Sequence, residues 1–184
     1  MKIESLEIPD VRLITPKVFG DARGYFFETW RENALQEAGI DVHFVQDNQA
    51  MSGPPGTVRG LHFQLSPKAQ DKLVRVIRGA ILDVAVDLRA GSPTFGRHVA
   101  RRLSAQDHTQ LFVPKGFAHG YCTLEPDTEV VYKVTDYYAP QLDRGIAWDD
   151  PALAIAWPVL NGEAILSDKD RRQPKLADIA PPFP

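Results

Sequence analysis

An all-β sandwich or barrel with a few short helices is the fold class this sequence predicts. Short runs rich in β-branched and aromatic residues recur along the 184 residues, clusters of Gly, Pro, Asp and Ser separate them, and one run alternates cleanly between two faces. In that run, Ala80 to Leu88, the side chains of Leu82, Val84, Val86 and Leu88 share one face, and Ile81, Asp83, Ala85 and Asp87 share the other. Asp87 is expected on a solvated surface, whereas Asp83, between Ile81 and Ala85, can point into a polar cavity.

Taken in order, strands are predicted at Val11 to Phe19 and Tyr25 to Trp30, on either side of the turn Gly20-Asp21-Ala22-Arg23-Gly24. A helical pattern over Arg31 to Ala38 stops at Gly39. Further strands follow at Val42 to Gln46, Val58 to Gln64, Leu73 to Ile77, Ala80 to Leu88, His98 to Leu103, Gln110 to Val113 and Glu129 to Thr135. Ser52-Gly53-Pro54-Pro55-Gly56 and Arg89-Ala90-Gly91-Ser92-Pro93 are loops between strands, and Pro114 to Tyr121 reads as a turn carrying His119. Only a weak helical pattern follows Asp168. The proline-rich end cannot continue a helix or join a sheet interior, so residues 175–184 are expected to be an exposed tail on a single domain spanning 1–184.

Composition narrows the function. A chain of this length buries a core without disulfides or metals. With 21 Lys+Arg against 24 Asp+Glu the net charge is −3, which makes no case for nucleic acid or an anionic membrane. The N-terminal residues are polar, and no run reaches the ~18 apolar residues of a membrane span. Cys122 stands alone, so an internal disulfide is out of reach and a cytoplasmic address is expected.

The chemistry centres on Arg59-Gly60-Leu61-His62-Phe63-Gln64, where an imidazole sits inside an apolar strand. Alone, such a histidine has an ordinary reading as a hydrogen-bonded core residue. A small β-barrel with a second histidine in Pro114-Lys115-Gly116-Phe117-Ala118-His119 invites a metal site, but Gln64 is a poor ligand and Lys72 would repel a cation. No metal is therefore predicted. Proton transfer beside a carbonyl fits better: an imidazole can take a carbon-bound proton once a carboxylate fixes its tautomer. His62 with Asp170 would form that dyad, Lys72 would stabilise an enolate oxygen, and Tyr132 would return a proton from the opposite face. Arg23 and Arg59 can clamp a phosphate, and Gln46, Asn48 and Gln49 can read polar ligand edges. Strict alternation places Arg59 and His62 on opposite faces, so joint service requires a bulge, for which Gly60 is the natural place.

Taken with Pro16 to Gly24, Phe44 to Asn48, Val86 to Arg89 and Ser167-Asp168-Lys169-Asp170, these motifs resemble the dTDP-4-dehydrorhamnose 3,5-epimerase family of the cupin superfamily. The resemblance runs from about Ile3 to Pro174. It implies a metal-free, cofactor-free jelly-roll barrel that forms a homodimer, an N-terminal segment of one subunit reaching the nucleotide site of the other. It assigns His62 as base, Asp170 as its partner, Tyr132 as acid and Lys72 as enolate stabiliser. Arg59 and His119 would contact the sugar nucleotide near diphosphate and sugar; Arg23, Glu28, Gln46, Asp47 and Asn48 would line the nucleotide end; Tyr138 would stack on the ligand, and Lys169 would bind it. Asp143 stands where a glutamate is common, which puts that contact in doubt. The implied reaction inverts C3 and C5 of dTDP-4-dehydro-6-deoxy-D-glucose, giving dTDP-4-dehydro-L-rhamnose. Alternatives are a mono-epimerase or a 3,4-ketoisomerase of the same substrate class, a non-catalytic sugar-nucleotide-binding cupin, and a metal-dependent cupin oxygenase, which Gln64 disfavours.

Overall fold

The computed structural model describes residues 1–159 and 162–183. Its strands in chain order are β1 (Lys2–Ser5), β2 (Arg12–Thr15), β3 (Phe19–Asp21), β4 (Gly24–Phe26), β5 (Gln46–Ser52), β6 (Val58–Gln64), β7 (Lys72–Arg78), β8 (Ala80–Asp87), β9 (His98–Ser104), β10 (Gln110–Val113), β11 (Phe117–Thr123), β12 (Thr128–Val134) and β13 (Asp143–Gly145). One short helix, α1 (Glu32–Glu37), precedes β5, and Gly39 at φ +79° ends it as expected. Antiparallel pairing gives a six-stranded sheet ordered β1-β2-β10-β7-β12-β5, a five-stranded sheet ordered β13-β6-β11-β8-β9, and a separate β3-β4 ribbon. The two large sheets pack face to face as a jelly-roll barrel. Among the described residues no helix is long and apolar enough to cross a membrane.

The period-2 pattern decides what lies between the sheets. Ile81 and Ala85 of β8 meet Val74 and Val76 of β7, Leu111 and Val113 of β10 and Val130 of β12 in the central core. Each aliphatic side chain fully buried there contributes ~1.5–3 kcal/mol. The same alternation puts Lys72 on the face of Val74 and Val76, and Tyr132 on the face of Val130. Polar groups thus enter the barrel at one end of an otherwise apolar interior.

Four expectations are corrected. His119 lies not in a turn but in β11, the middle strand of the five-stranded sheet, where every residue is buried. Asp87 is fully buried, not solvated. It accepts hydrogen bonds from Arg89 Nη2 at 2.7 Å, Ser92 Oγ at 2.6 Å and Thr94 Oγ1 at 2.6 Å, tying down the loop after β8. Burial alone would raise its pKa, but together these donors bring it to about 2. The strand placed at Val42 to Gln46 instead occupies Gln46–Ser52. Nor do residues 175–183 form a free tail, although Pro184 lies outside the described residues. Phe183 is buried, its carbonyl accepts from the Ala90 amide at 2.8 Å, and its ring packs edge-on against Phe63. The outer face of the five-stranded sheet, with Leu61, Phe63, Val84 and Val86, is apolar, and the C-terminal segment is what covers it.

The bulge expected at Gly60 is present. His119 pairs with His62 and Tyr121 with Arg59, so β6 carries one residue more than β11 across that interval. Gly60 adopts φ +137°, and a Cβ there would lie 2.5 Å from the Gly120 Cα. The extra residue returns Arg59 and His62 to one face, and both line the same cavity. Gly60→Ala is expected to destabilise the protein by at least ~2 kcal/mol, from left-handed backbone strain and the clash with β11. A urea denaturation midpoint equal to that of the parent would show that the two strands can part without loss.

Candidate active site

A cavity of about 440 Å³ opens at the polar end of the barrel, between the inner faces of both sheets and the 165–170 segment. His62 from β6, Lys72 from β7, His119 and Tyr121 from β11 and Tyr132 from β12 project into it, and Arg59, Lys169 and Asp170 complete the wall. Each is delivered by strand alternation except Arg59, which needs the bulge, and the 169–170 pair, which arrives on a loop and a 3-10 turn.

His62 Nε2 meets Asp170 Oδ1 at 2.5 Å. Asp170 is buried, and the Ser167 hydroxyl accepts its amide at 3.1 Å, which fixes the turn. Burial would raise the Asp170 pKa, but the hydrogen bond and charge of His62, with Ser167 and the Gly60 amide, hold it below the ordinary carboxylate value. An ionised partner of this kind orients the ring and stabilises the imidazolium that proton abstraction creates.

Lys72 is buried, and its ammonium donates to the His62 carbonyl at 3.4 Å. Burial pulls its pKa down to about 8, against the opposing pull of Asp143 and Asp83. It thus stays cationic at neutral pH while poorly solvated, a state that a developing oxyanion relieves. Burial pushes the Tyr132 phenol up, so it holds its proton and can donate it. His119 Nε2 meets Asp83 Oδ1 at 2.7 Å, yet burial, helped by Lys72 and His62, holds its pKa below the usual value. A cation, a dyad and a neutral phenol around one space are the parts that deprotonation next to a carbonyl requires. Among the described residues, no three His, Cys, Asp or Glu side chains are grouped as a metal ion would need.

The remaining predicted residues divide by position. Gln46, Asn48, Tyr138, Asp143 and Lys169 form a hydrogen-bonded rim that joins the cavity at Lys169. Gln46 Nε2 donates to Asn48 Oδ1 at 2.8 Å, the Tyr138 amide to Gln46 Oε1 at 3.3 Å, and the Tyr138 hydroxyl to Asp143 Oδ2 at 3.1 Å; Lys169 ion-pairs with Asp143. Asp143 therefore does reach the rim despite its short side chain. Asp47 does not. It lies on the outer face of the six-stranded sheet, paired with Lys133 at 2.9 Å, because Gln46 and Asn48 take the inward positions. Arg23 and Glu28 are also outside the cavity of their own chain, paired with Asp21 and Arg31 on the exposed segment around the β3-β4 ribbon. Asp83 and Tyr121 were not among the predicted site residues. Inward alternation in β8 signalled the first; reading Pro114 to Tyr121 as a turn concealed the second.

Comparison with known proteins follows the same line. The family model described as dTDP-4-dehydrorhamnose 3,5-epimerase matches residues 5–178. An enzyme of that description from Sinorhizobium fredii is 52% identical over 183 residues, covering 100% of this chain and 93% of the relative. A Bacillus anthracis crystal structure of that description, with TDP and PPi bound, superimposes with a TM-score of 0.92 at 52% identity, covering 95% of this chain and 98% of the other. A crystal structure of a dTDP-6-deoxy-D-glucose-3,5-epimerase from Legionella pneumophila, in complex with dTDP-4-keto-L-rhamnose, gives 0.92 at 43% identity, covering 97% of this chain and 94% of the other.

Proposed function

This chain belongs to the dTDP-4-dehydrorhamnose 3,5-epimerase family, and from that premise we propose that His62, Asp170, Lys72 and Tyr132 carry the reaction. The enzyme is an isomerase that inverts C3 and C5 of dTDP-4-dehydro-6-deoxy-D-glucose to give dTDP-4-dehydro-L-rhamnose. Both carbons flank the C4 ketone, so either proton is acidified by the same carbonyl. His62, oriented by Asp170, removes the proton. Lys72 stabilises the enolate oxygen, and Tyr132 returns a proton on the far face. One base and one enolate site serve both carbons if the sugar shifts between steps. Nothing is oxidised overall, so the reaction calls for no redox cofactor.

The observation that carries the assignment is the 2.5 Å His62–Asp170 pair facing buried Lys72 and half-buried Tyr132 across one cavity. Arg59 and His119 would bind near diphosphate and sugar, and the Gln46, Asn48, Tyr138, Asp143 and Lys169 rim the nucleotide. The test is incubation in deuterated water with NMR detection at C3 and C5. Label at both carbons, with a product that a ketone reductase forming the L-sugar accepts, agrees with the proposal; label at one carbon, or binding without exchange, overturns it.

The chain works as one cupin-like domain in a cytoplasmic homodimer on this reading. Phe19, Tyr25 and Phe26 lie exposed on a ribbon paired with neither large sheet, and the same segment carries Arg23 and Glu28 outside their own cavity. Exposed aromatic side chains beside charged groups that lie outside their own cavity fit a partner subunit's site. Sedimentation is expected to give twice the monomer mass, and Phe19→Asp with Phe26→Asp to give monomers; a monomeric parent would refute the dimer.

A further inference from the structure

We propose that Tyr121 is a substrate-contacting residue whose phenol hydroxyl donates a hydrogen bond to an oxygen of the sugar. This rests on the proposed function of the cavity and extends it by one group. Tyr121 projects from β11 on the same face as His119, opposite Asp83 of β8 on one side and Arg59 of β6 on the other. The side chain is almost wholly buried, at 4% exposure, with its ring in the central core and its edge on the cavity wall. Among the described residues its hydroxyl has no hydrogen-bond partner, and unlike the orphaned Asp83 Oδ2 it is not sealed from the cavity.

Open to the cavity and without a protein partner, the hydroxyl does nothing for the fold that a phenylalanine ring edge would not do. Its place in the cavity gives it a use. The neighbours define the ligand end: Arg59 is suited to phosphate, and His119 and Lys72 to the sugar, so the Tyr121 hydroxyl stands between the phosphate clamp and the reacting carbonyl. Burial raises its pKa far above neutrality, so it is a permanent donor. With Lys72 and His119 beside it on the cavity wall, the oxygen it meets belongs to the sugar, not to thymine.

The test is Tyr121→Phe, which keeps the ring and removes only the hydroxyl. Substrate-free, the variant is expected to melt at the parent's temperature or above. KM for the sugar nucleotide should rise about 2- to 10-fold, the size of one net hydrogen bond, with kcat and the ratio of C3 to C5 deuterium exchange unchanged. Affinity for dTDP alone should not move. Unchanged KM, a KM effect matched by an equal loss of dTDP affinity, or a lowered melting temperature would each overturn the proposal. If the parent itself exchanges neither carbon, the proposed function fails first, and the two failures are told apart by that control.

Discussion

His62→Asn is expected to lower turnover by ~10²–10⁴-fold, the usual contribution of a positioned general base. On the proposed mechanism one imidazole serves both carbons, so deuterium should enter neither C3 nor C5. Affinity for dTDP should persist, since the rim of Gln46, Asn48 and Tyr138 does not pass through His62. A second signature separates loss of a base from loss of the fold. Asp170 in the parent has a pKa below its ordinary value, so it contributes stability that is present above the unfolded carboxylate pKa and lost as pH falls through the folded one. Without the His62 hydrogen bond that contribution shrinks. The variant should therefore be less stable at neutral pH and converge on the parent in acid. Exchange at one carbon with the other silent would show that a different group takes the second proton.

How much of this was legible depended on what each strand faces. β7, β8, β9, β10 and β12 are rich in β-branched and other apolar residues packed against the core, and that composition announces them. Nothing announces β5, because its inward Gln46 and Asn48 are polar and bonded to each other; a strand that is polar on both faces has no hydrophobic period to detect. β11 was hidden for a steric reason. Ala118, Gly120 and Cys122 on its outer face are small, and at Gly120 a Cβ would lie 2.7 Å from the Arg59 carbonyl oxygen and 2.9 Å from the Gly60 Cα. A strand that must admit a neighbouring backbone loses the bulky residues that mark strands. The docked C-terminus was illegible because proline-rich chain gains its place from the apolar sheet face it covers, information that lies a hundred residues away in sequence.

The site divides in the same way. His62, Lys72, Tyr132 and Asp170 were named from residue type and family motif, and the fold brings all four to one cavity. Asp47 was included with its neighbours as part of a motif, although alternation sends it away from them. Arg23 and Glu28 were named from the family motif, and the fold leaves them outside the cavity of their own chain, paired with Asp21 and Arg31. Tyr121 was lost with its strand.

Lys72→Met should show how far function sets this lysine against stability. Turnover is expected to fall by ~10²–10³-fold, as when one oxyanion donor is removed, with KM less affected. Stability should move the other way. The folded pKa is lowered to about 8 from 10.5, so the folded state resists protonation more than the unfolded state does. Below pH 8 the group is protonated in both states, and burying its charge destabilises the parent by an amount on the order of 3 kcal/mol. That penalty is relieved as pH rises from about 8 to 10.5, so the parent's stability should climb through this window and the methionine variant's should not. Activity titrates with the same proton in the opposite sense: kcat/KM of the parent should fall with a midpoint near pH 8 as the ammonium that meets the enolate is lost. A parent whose stability is flat from pH 8 to 10.5 would mean that Lys72 is solvated, and with it the argument that desolvation primes this ammonium for an oxyanion would go. Coincidence of a rising stability limb and a falling activity limb is what a buried enolate-stabilising lysine requires, and a lysine that only packs would produce the first without the second.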